Sequence, residues 1–188
     1  MLVEPEIIKA CIEKDRKAQY AMYRKCYGLM MGICLRYATD KDEAAVLMNL
    51  GFLKVLTHLG KYNPEIPFEL WIRRIIINTI IDDYRKNKKM KEMIEYREMQ
   101  GSINETESVL NYAVRKMNLE QLQQFISKLP NVSRRVFNLY VVDGYTHEEI
   151  SRMLEISSGT SKWHLSTARQ KLKEMILKFN ESFKTKIA

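Results

Sequence analysis

Apolar residues at the start of the chain recur at helical spacing: Ile7, Ile8, Cys11 and Ile12, then Ala18, Ala21 and Met22, then Leu29, Ile33 and Tyr37. Steps of three and four keep one face of a helix apolar, so about 5–38 predicts one or two helices. Thr39 or Asp40 stands where the next helix needs a cap, with Glu43 in its first turn. That helix carries Val46, Leu47, Leu50, Leu53, Val55 and Leu56 and ends near Gly60. Lys61–Pro67 has two prolines and the pair Asn63-Pro64, and a residue before proline is pushed out of the helical region, so a loop follows. Pro67 suits the opening of a helix that runs to about Lys89. On it Trp71, Ile72, Ile75, Ile76 and Ile80 share an apolar face, while Arg74, Asn78, Asp82 and Arg85 step by four, four and three along a polar stripe.

The periodicity then fades. Gly101-Ser102, Asn104 and scattered charges read as a linker, assigned to 91–118, between a domain at 1–90 and another at 119–188. The second domain predicts helices near Leu119–Lys128, Ser133–Val142, Glu148–Leu154 and Ser158–Phe179, punctuated by Pro130, Gly144 and Ile156-Ser157. Short supply of glycine (7) and proline (4), and no alternating β-branched runs, leave the fold class all-α: two helical domains joined by a linker.

The most specific segment is Tyr145–Leu154. It opens with a capping box, Thr146 with Glu149. After the turn Glu155-Ile156-Ser157, a longer helix begins at Ser158. Ile150, Leu154, Ile156, Leu165 and Ala168 can form the core between two crossed helices. This pattern is a helix-turn-helix, whose second helix can lie in a major groove with its N-terminal residues at base edges. Ser158, Thr160, Ser161, Lys162 and His164 are candidate readers there, and Arg169 and Lys171 suit phosphates. An ordinary helical hairpin with a solvated basic face is the competing reading. In the first domain, Lys61, Tyr62, Asn63, Phe68, Trp71, Arg73, Arg74, Asn78 and Tyr84 interleave aromatics with cations and amides, as an unpaired strand requires. Trp71 and Tyr84 serve equally as core.

Charge narrows the choice. The formal net charge is +8, five of the seven residues at 85–91 are basic, and Lys162, Arg169, Lys171 and Lys173 face one acid, Glu174, in that stretch. A polyanionic partner is expected. Cys11, Cys26 and Cys34 form no CxxC pair and lie far from His58, His147 and His164, so neither a metal nor a cofactor is expected. No nucleophile–base pair or phosphate-cradling glycine loop suggests an enzyme. No basic leader opens the chain and no apolar run approaches the ~20 residues of a membrane span, so a cytoplasmic location without membrane insertion is expected.

Two ordered strings carry a family likeness. One runs from Asp42-Glu43-Ala44 through Gly51-Phe52-Leu53-Lys54-Val55 and Tyr62-Asn63-Pro64 to Phe68-Glu69-Leu70-Trp71-Ile72-Arg73-Arg74, Asn78 and Asp82. The other holds Leu129-Pro130, Arg134–Tyr140, Gly144–Ile150 and Gly159-Thr160-Ser161-Lys162. With both, from about Ile7 to Leu177, the chain resembles the extracytoplasmic-function sigma factors of bacterial RNA polymerase, in the sigma-70 family. The resemblance implies a transcription-initiation factor that directs the polymerase core to specific promoters. It places Asp42, Glu43, Asn49, Phe52 and Lys54 against the clamp helices of the largest subunit. Lys61, Tyr62, Asn63, Phe68, Trp71, Arg74, Asn78, Asp82 and Arg85 go to the minus-ten element. Ser158, Thr160, Ser161, Lys162, His164 and Arg169 go to duplex minus-thirty-five DNA. The linker would thread toward the RNA exit path, with the polymerase flap as a further contact, and an anti-sigma factor or recruiting protein is a further partner.

The chain departs from that pattern at three places. The docking helix has Ala45-Val46-Leu47-Met48-Asn49-Leu50 where acids and a glutamine are usual, which removes charge-assisted contacts. Glu155 holds a turn position often given to glycine, and Thr167 stands where a second arginine is common. The apolar stretch Val46–Leu50 keeps a second reading open, a sigma-derived adaptor that needs another protein for recruitment. Those side chains could equally be core.

Overall fold

A computed structural model describes residues 3–95 and 119–185, and every regular element among them is helical. The chain divides into two units, Met1–Glu92 and Met93–Ala188. The linker assigned to 91–118 lies outside the described residues from 96 onward; 91–95 are still helix.

The first unit holds α1 (Pro5–Ile12), α2 (Arg16–Tyr37), α3 (Lys41–His58), a 3-10 turn (Leu59–Lys61) and α4 (Phe68–Glu95). The apolar run at 5–38 is thus two helices. Lys14 takes φ 66° between them, and the Asp15 carboxylate restarts the chain by accepting from Ala18 N at 2.7 Å. Asp40 caps α3, accepting from Glu43 N at 2.8 Å. Glu43 reaches back to the residue before the cap, its Oε2 accepting from Thr39 N at 2.6 Å, which fixes the entry of the chain into α3. α4 starts at Phe68, because Pro67 lends its carbonyl to Leu70 N and Trp71 N.

The core of this unit is the inner face of α2 (Met22, Cys26, Met30, Ile33, Cys34, Tyr37), of α3 (Ala44, Leu47, Met48, Val55) and of α4 (Ile72, Ile76, Ile77, Ile80, Ile81, Tyr84). Gly51 lets α3 and α4 close up: a Cβ there would run into Ile76 Cδ1. The buried thiols are driven out of reactivity, since burial pushes Cys26 and Cys34 up to about 12. Tyr84 is buried with the core of α4.

The second unit holds α5 (Leu119–Ser127), α6 (Asn131–Phe137), a π-helical turn (Asn138–Val142), α7 (His147–Leu154) and α8 (Ser158–Thr185). Ile150, Leu154, Leu165 and Ala168 are buried as expected, with Ile156 half-buried. Ala168 and Leu172 also pack with Ile126 and Leu129, tying α8 to α5. Arg134 and Arg135 are buried, each giving Nη1 to a carbonyl, of Ser127 and Asn131. They belong to the interior and add little to the basic surface.

Candidate nucleic-acid interface

The loop at 62–67 is shaped from within. Tyr62 Oη donates to Ile66 O at 2.7 Å, and Asn63 Oδ1 accepts from Glu65 N at 3.0 Å. Behind it Tyr62, Phe68 and Trp71 form one aromatic cluster, with centroids 5.0–5.6 Å apart and Phe68 stacked on Trp71 at 21°. Lys61 and Asn63 are exposed, and Tyr62 and Trp71 half-buried. Phe68, expected at the minus-ten strand, is buried and supports the cluster from within. Along α4, Arg74 and Asn78 are exposed and Arg85 half-buried. Asp82 is on that stripe, yet its carboxylate pairs with Lys54 Nζ at 2.9 Å. One residue expected at DNA and one expected at the polymerase thus hold α4 to α3. At this exposure the pair is worth about 0–1 kcal/mol, so it orients more than it stabilises. Of the basic run at 85–91, the side chains at 88–91 lie outside the described residues.

α3 turns a different chemistry outward. Val46, Leu50 and Leu53 are 59%, 45% and 62% exposed, at steps of four and three, while Leu47 and Met48 point into the core. The stretch is therefore surface and core at once, divided by helical phase. Beside that stripe Asn49 accepts from Tyr23 Oη at 3.4 Å, and Phe52 meets the Tyr23 ring edge-on at 5.1 Å. Asp42 is exposed; Glu43 is occupied by the Thr39 cap.

In the second unit the capping box forms as expected, with Thr146 Oγ1 and Glu149 exchanging bonds across the first turn of α7. Glu155 ends α7 at φ 55°, ψ 47°, the left-handed conformation that suits glycine. Ser157 opens α8, its Oγ accepting from Thr160 N at 2.9 Å and bonding Thr160 Oγ1 at 2.8 Å. Lys162 and Arg169 are exposed, and Ser158 and Thr160 half-buried.

Two expected DNA readers are turned inward. Ser161 is fully buried and bonds His147 Nδ1 at 2.9 Å. His164 bonds Ser133 Oγ through Nδ1 at 3.0 Å, and burial holds its imidazole down at about 4, neutral at physiological pH. The reason is phase: Ser161 and His164 lie toward the side of Leu165, Ala168 and Leu172. The same phase brings out Trp163, Ser166 and Gln170, which the sequence reading left unused. Counting back from Leu165, Ala168 and Leu172 identifies them. His147 stacks on Tyr140 at 4.5 Å. Its pKa is lowered, first by burial and then by the nearby Lys162 charge, with Glu148 opposing and Arg169 adding, so this corner is electropositive. Among the described residues no group of His, Cys, Asp and Glu could hold a metal, and no helix is long and apolar enough to cross a membrane.

Residues 22–90 match the family description "Sigma-70 region 2" and residues 119–172 "Sigma-70, region 4", together about two thirds of the chain. The chain belongs to the sigma-70 family, in its extracytoplasmic-function group. Among curated relatives, this sigma factor is 28% identical to RNA polymerase sigma factor SigZ of Bacillus subtilis, over 73% of this chain and 74% of that one. It is 22% identical to the RNA polymerase sigma-H factor of Pseudomonas aeruginosa, over 89% and 90%. With ECF RNA polymerase sigma factor SigW of Bacillus subtilis it shares 26%, over 77% and 81%. Among solved structures, it matches the sigma factor RpoE in complex with the anti-sigma factor NepR from Bartonella quintana at 17% identity and TM-score 0.49, over 84% and 97%.

Proposed function

We propose that this chain directs core RNA polymerase to specific promoters through three surfaces. The domain at 1–90 docks on the polymerase by α3 and engages the opened minus-ten strand. The domain at 119–188 reads duplex minus-thirty-five DNA, and 91–118 tethers the two. The observation that carries this reading is α8: a helix capped at Ser157 that presents Lys162 and Arg169 from a packed helix-turn-helix. Its start fits a major groove, and its cations fit flanking phosphates. On the first domain Lys61, Tyr62, Asn63, Trp71, Arg74, Asn78 and Arg85 take the unpaired strand, by stacking and by charge. Phe68 and Asp82 act behind them. The test is transcription from a promoter library by sigma-free core polymerase plus the full chain. Specific transcripts are expected, weakened by Lys162→Ala and Arg169→Ala; no specific transcript with any promoter would overturn the reading.

The exposed stripe Val46, Leu50 and Leu53 favours a second reading, an adaptor that reaches polymerase only through a recruiting protein. Co-migration of the chain alone with core polymerase in gel filtration separates the two, because an adaptor would elute by itself.

A further inference from the structure

At 3.6 residues per turn, Ser161, Leu165, Ala168 and Leu172 form the buried stripe of α8, and Trp163 falls nearly opposite it. Around it on the outward side stand Gly159, Lys162, Ser166 and Gln170, so the indole is the one bulky apolar group of that face among 158–170. Trp163 is half-buried although helical phase turns it away from that stripe, and its ring meets the His164 imidazole edge-on at 4.8 Å and 72°. His164 is in turn held by Ser133 Oγ at 3.0 Å, which links the indole to α6 through one ring. An aromatic already braced this way loses little rotamer freedom on binding, which favours its use in recognition.

Duplex DNA narrows what such a group can do. Base faces are stacked there and only edges are reachable, so the indole cannot serve as the stacking platform it would be on an unpaired strand. Its single N–H donor cannot make the bidentate bonds that identify guanine or adenine. The apolar feature of the major groove is the C5-methyl of thymine. We propose that Trp163 is a specificity-determining residue of the reading helix, its indole packing on the C5-methyl of one thymine in the upstream element. Gly159 and Ser166, one turn either side, are small enough to let the ring approach. This rests on the promoter-factor reading of α8.

The test uses core polymerase with the full chain and a promoter library randomised in the upstream element, transcribed in parallel with thymine and with deoxyuridine, which lacks only the methyl. With the wild-type chain, one position should prefer thymine, and deoxyuridine there should lower transcript yield about three- to fivefold, the worth of one buried methyl. Trp163→Ala should use thymine and deoxyuridine equally at that position and keep the other preferences. Trp163→Phe, which keeps a ring, guards against misfolding and should retain part of the discrimination. Equal use of the two bases by the wild type, or an undiminished thymine preference in Trp163→Ala, would overturn the proposal. If the wild type enriches no upstream sequence while transcribing specifically, the assignment of α8 falls and Trp163 with it. If no specific transcript forms at all, the promoter-factor reading itself fails.

Discussion

Glu155 spends its place at the end of α7 in the left-handed region, at φ 55°. A side chain there costs about 1–2 kcal/mol, and glycine returns part of that as lost chain entropy. Glu155→Gly should therefore raise stability by about 0.5–1 kcal/mol, visible as a higher urea midpoint, without altering the Ile150–Leu154 core. His164 makes a pH argument at the same scale. Its folded value is about 4 against an ordinary 6.5, through burial. As pH falls through 6.5 the unfolded chain takes up this proton while the folded one does not, so stability present above 6.5 is lost down to about 4 and levels below it. His164→Gln, which can still bond Ser133, should flatten that part of the urea-midpoint profile between pH 7 and 5. An unchanged slope in the variant would mean other groups set the acid sensitivity.

At the scale of elements, α3 works on two faces. Inward, Gly51 meets Ile76 so closely that an added methyl must displace Ile76 Cδ1, a buried atom. Overpacking of this kind costs about 1–3 kcal/mol, against up to about 1 kcal/mol gained by alanine's better helix propensity. Gly51→Ala should destabilise by about 1 kcal/mol, and Ile76→Val, which lacks Cδ1, should make the same change nearly harmless in a double-mutant cycle. Outward, the Val46, Leu50 and Leu53 stripe replaces charge with apolar surface. Apolar contacts are screened little by salt. Leu53→Glu should lower affinity for core polymerase at least tenfold while the melting temperature stays within a few degrees, because the residue touches solvent. A melting temperature that collapses with it would show Leu53 to be structural.

Across the whole molecule the excess of positive charge is uneven in use. Of 31 lysines and arginines, Arg134 and Arg135 are spent inside, whereas Lys162 and Arg169 stand exposed on the helix-turn-helix. Each phosphate neutralised releases counterions, so promoter affinity of the assembled polymerase should fall steeply with salt. If Lys162 contacts a phosphate, Lys162→Ala should reduce the slope of log affinity against log salt by about one; if it reads a base, the slope should hold while one base preference is lost. Either result places Lys162 at DNA, and no change in both would remove it.

Helical period, the proline-bounded loop and the capping box were local signals, so the sequence alone determined the all-α class, the breaks near Asp40, Pro67 and Ser157, and the helix-turn-helix, though not the break at Lys14 that divides 5–38 into two helices. Chain order of two motifs determined the family. What the sequence left open was which side of each helix faces inward where apolar residues are spread around it, because phase is chosen by the partners a helix packs against. Packing against α2 and α4 put Leu47 and Met48 inside and Val46, Leu50 and Leu53 outside, although all five looked alike in the sequence. Packing against α5, α6 and α7 drew Ser161 and His164 toward the interior and left Trp163 outward. A buried polar group must find a partner, and Ser133 and His147, distant in sequence, supplied those bonds; only the tertiary structure brings them within reach.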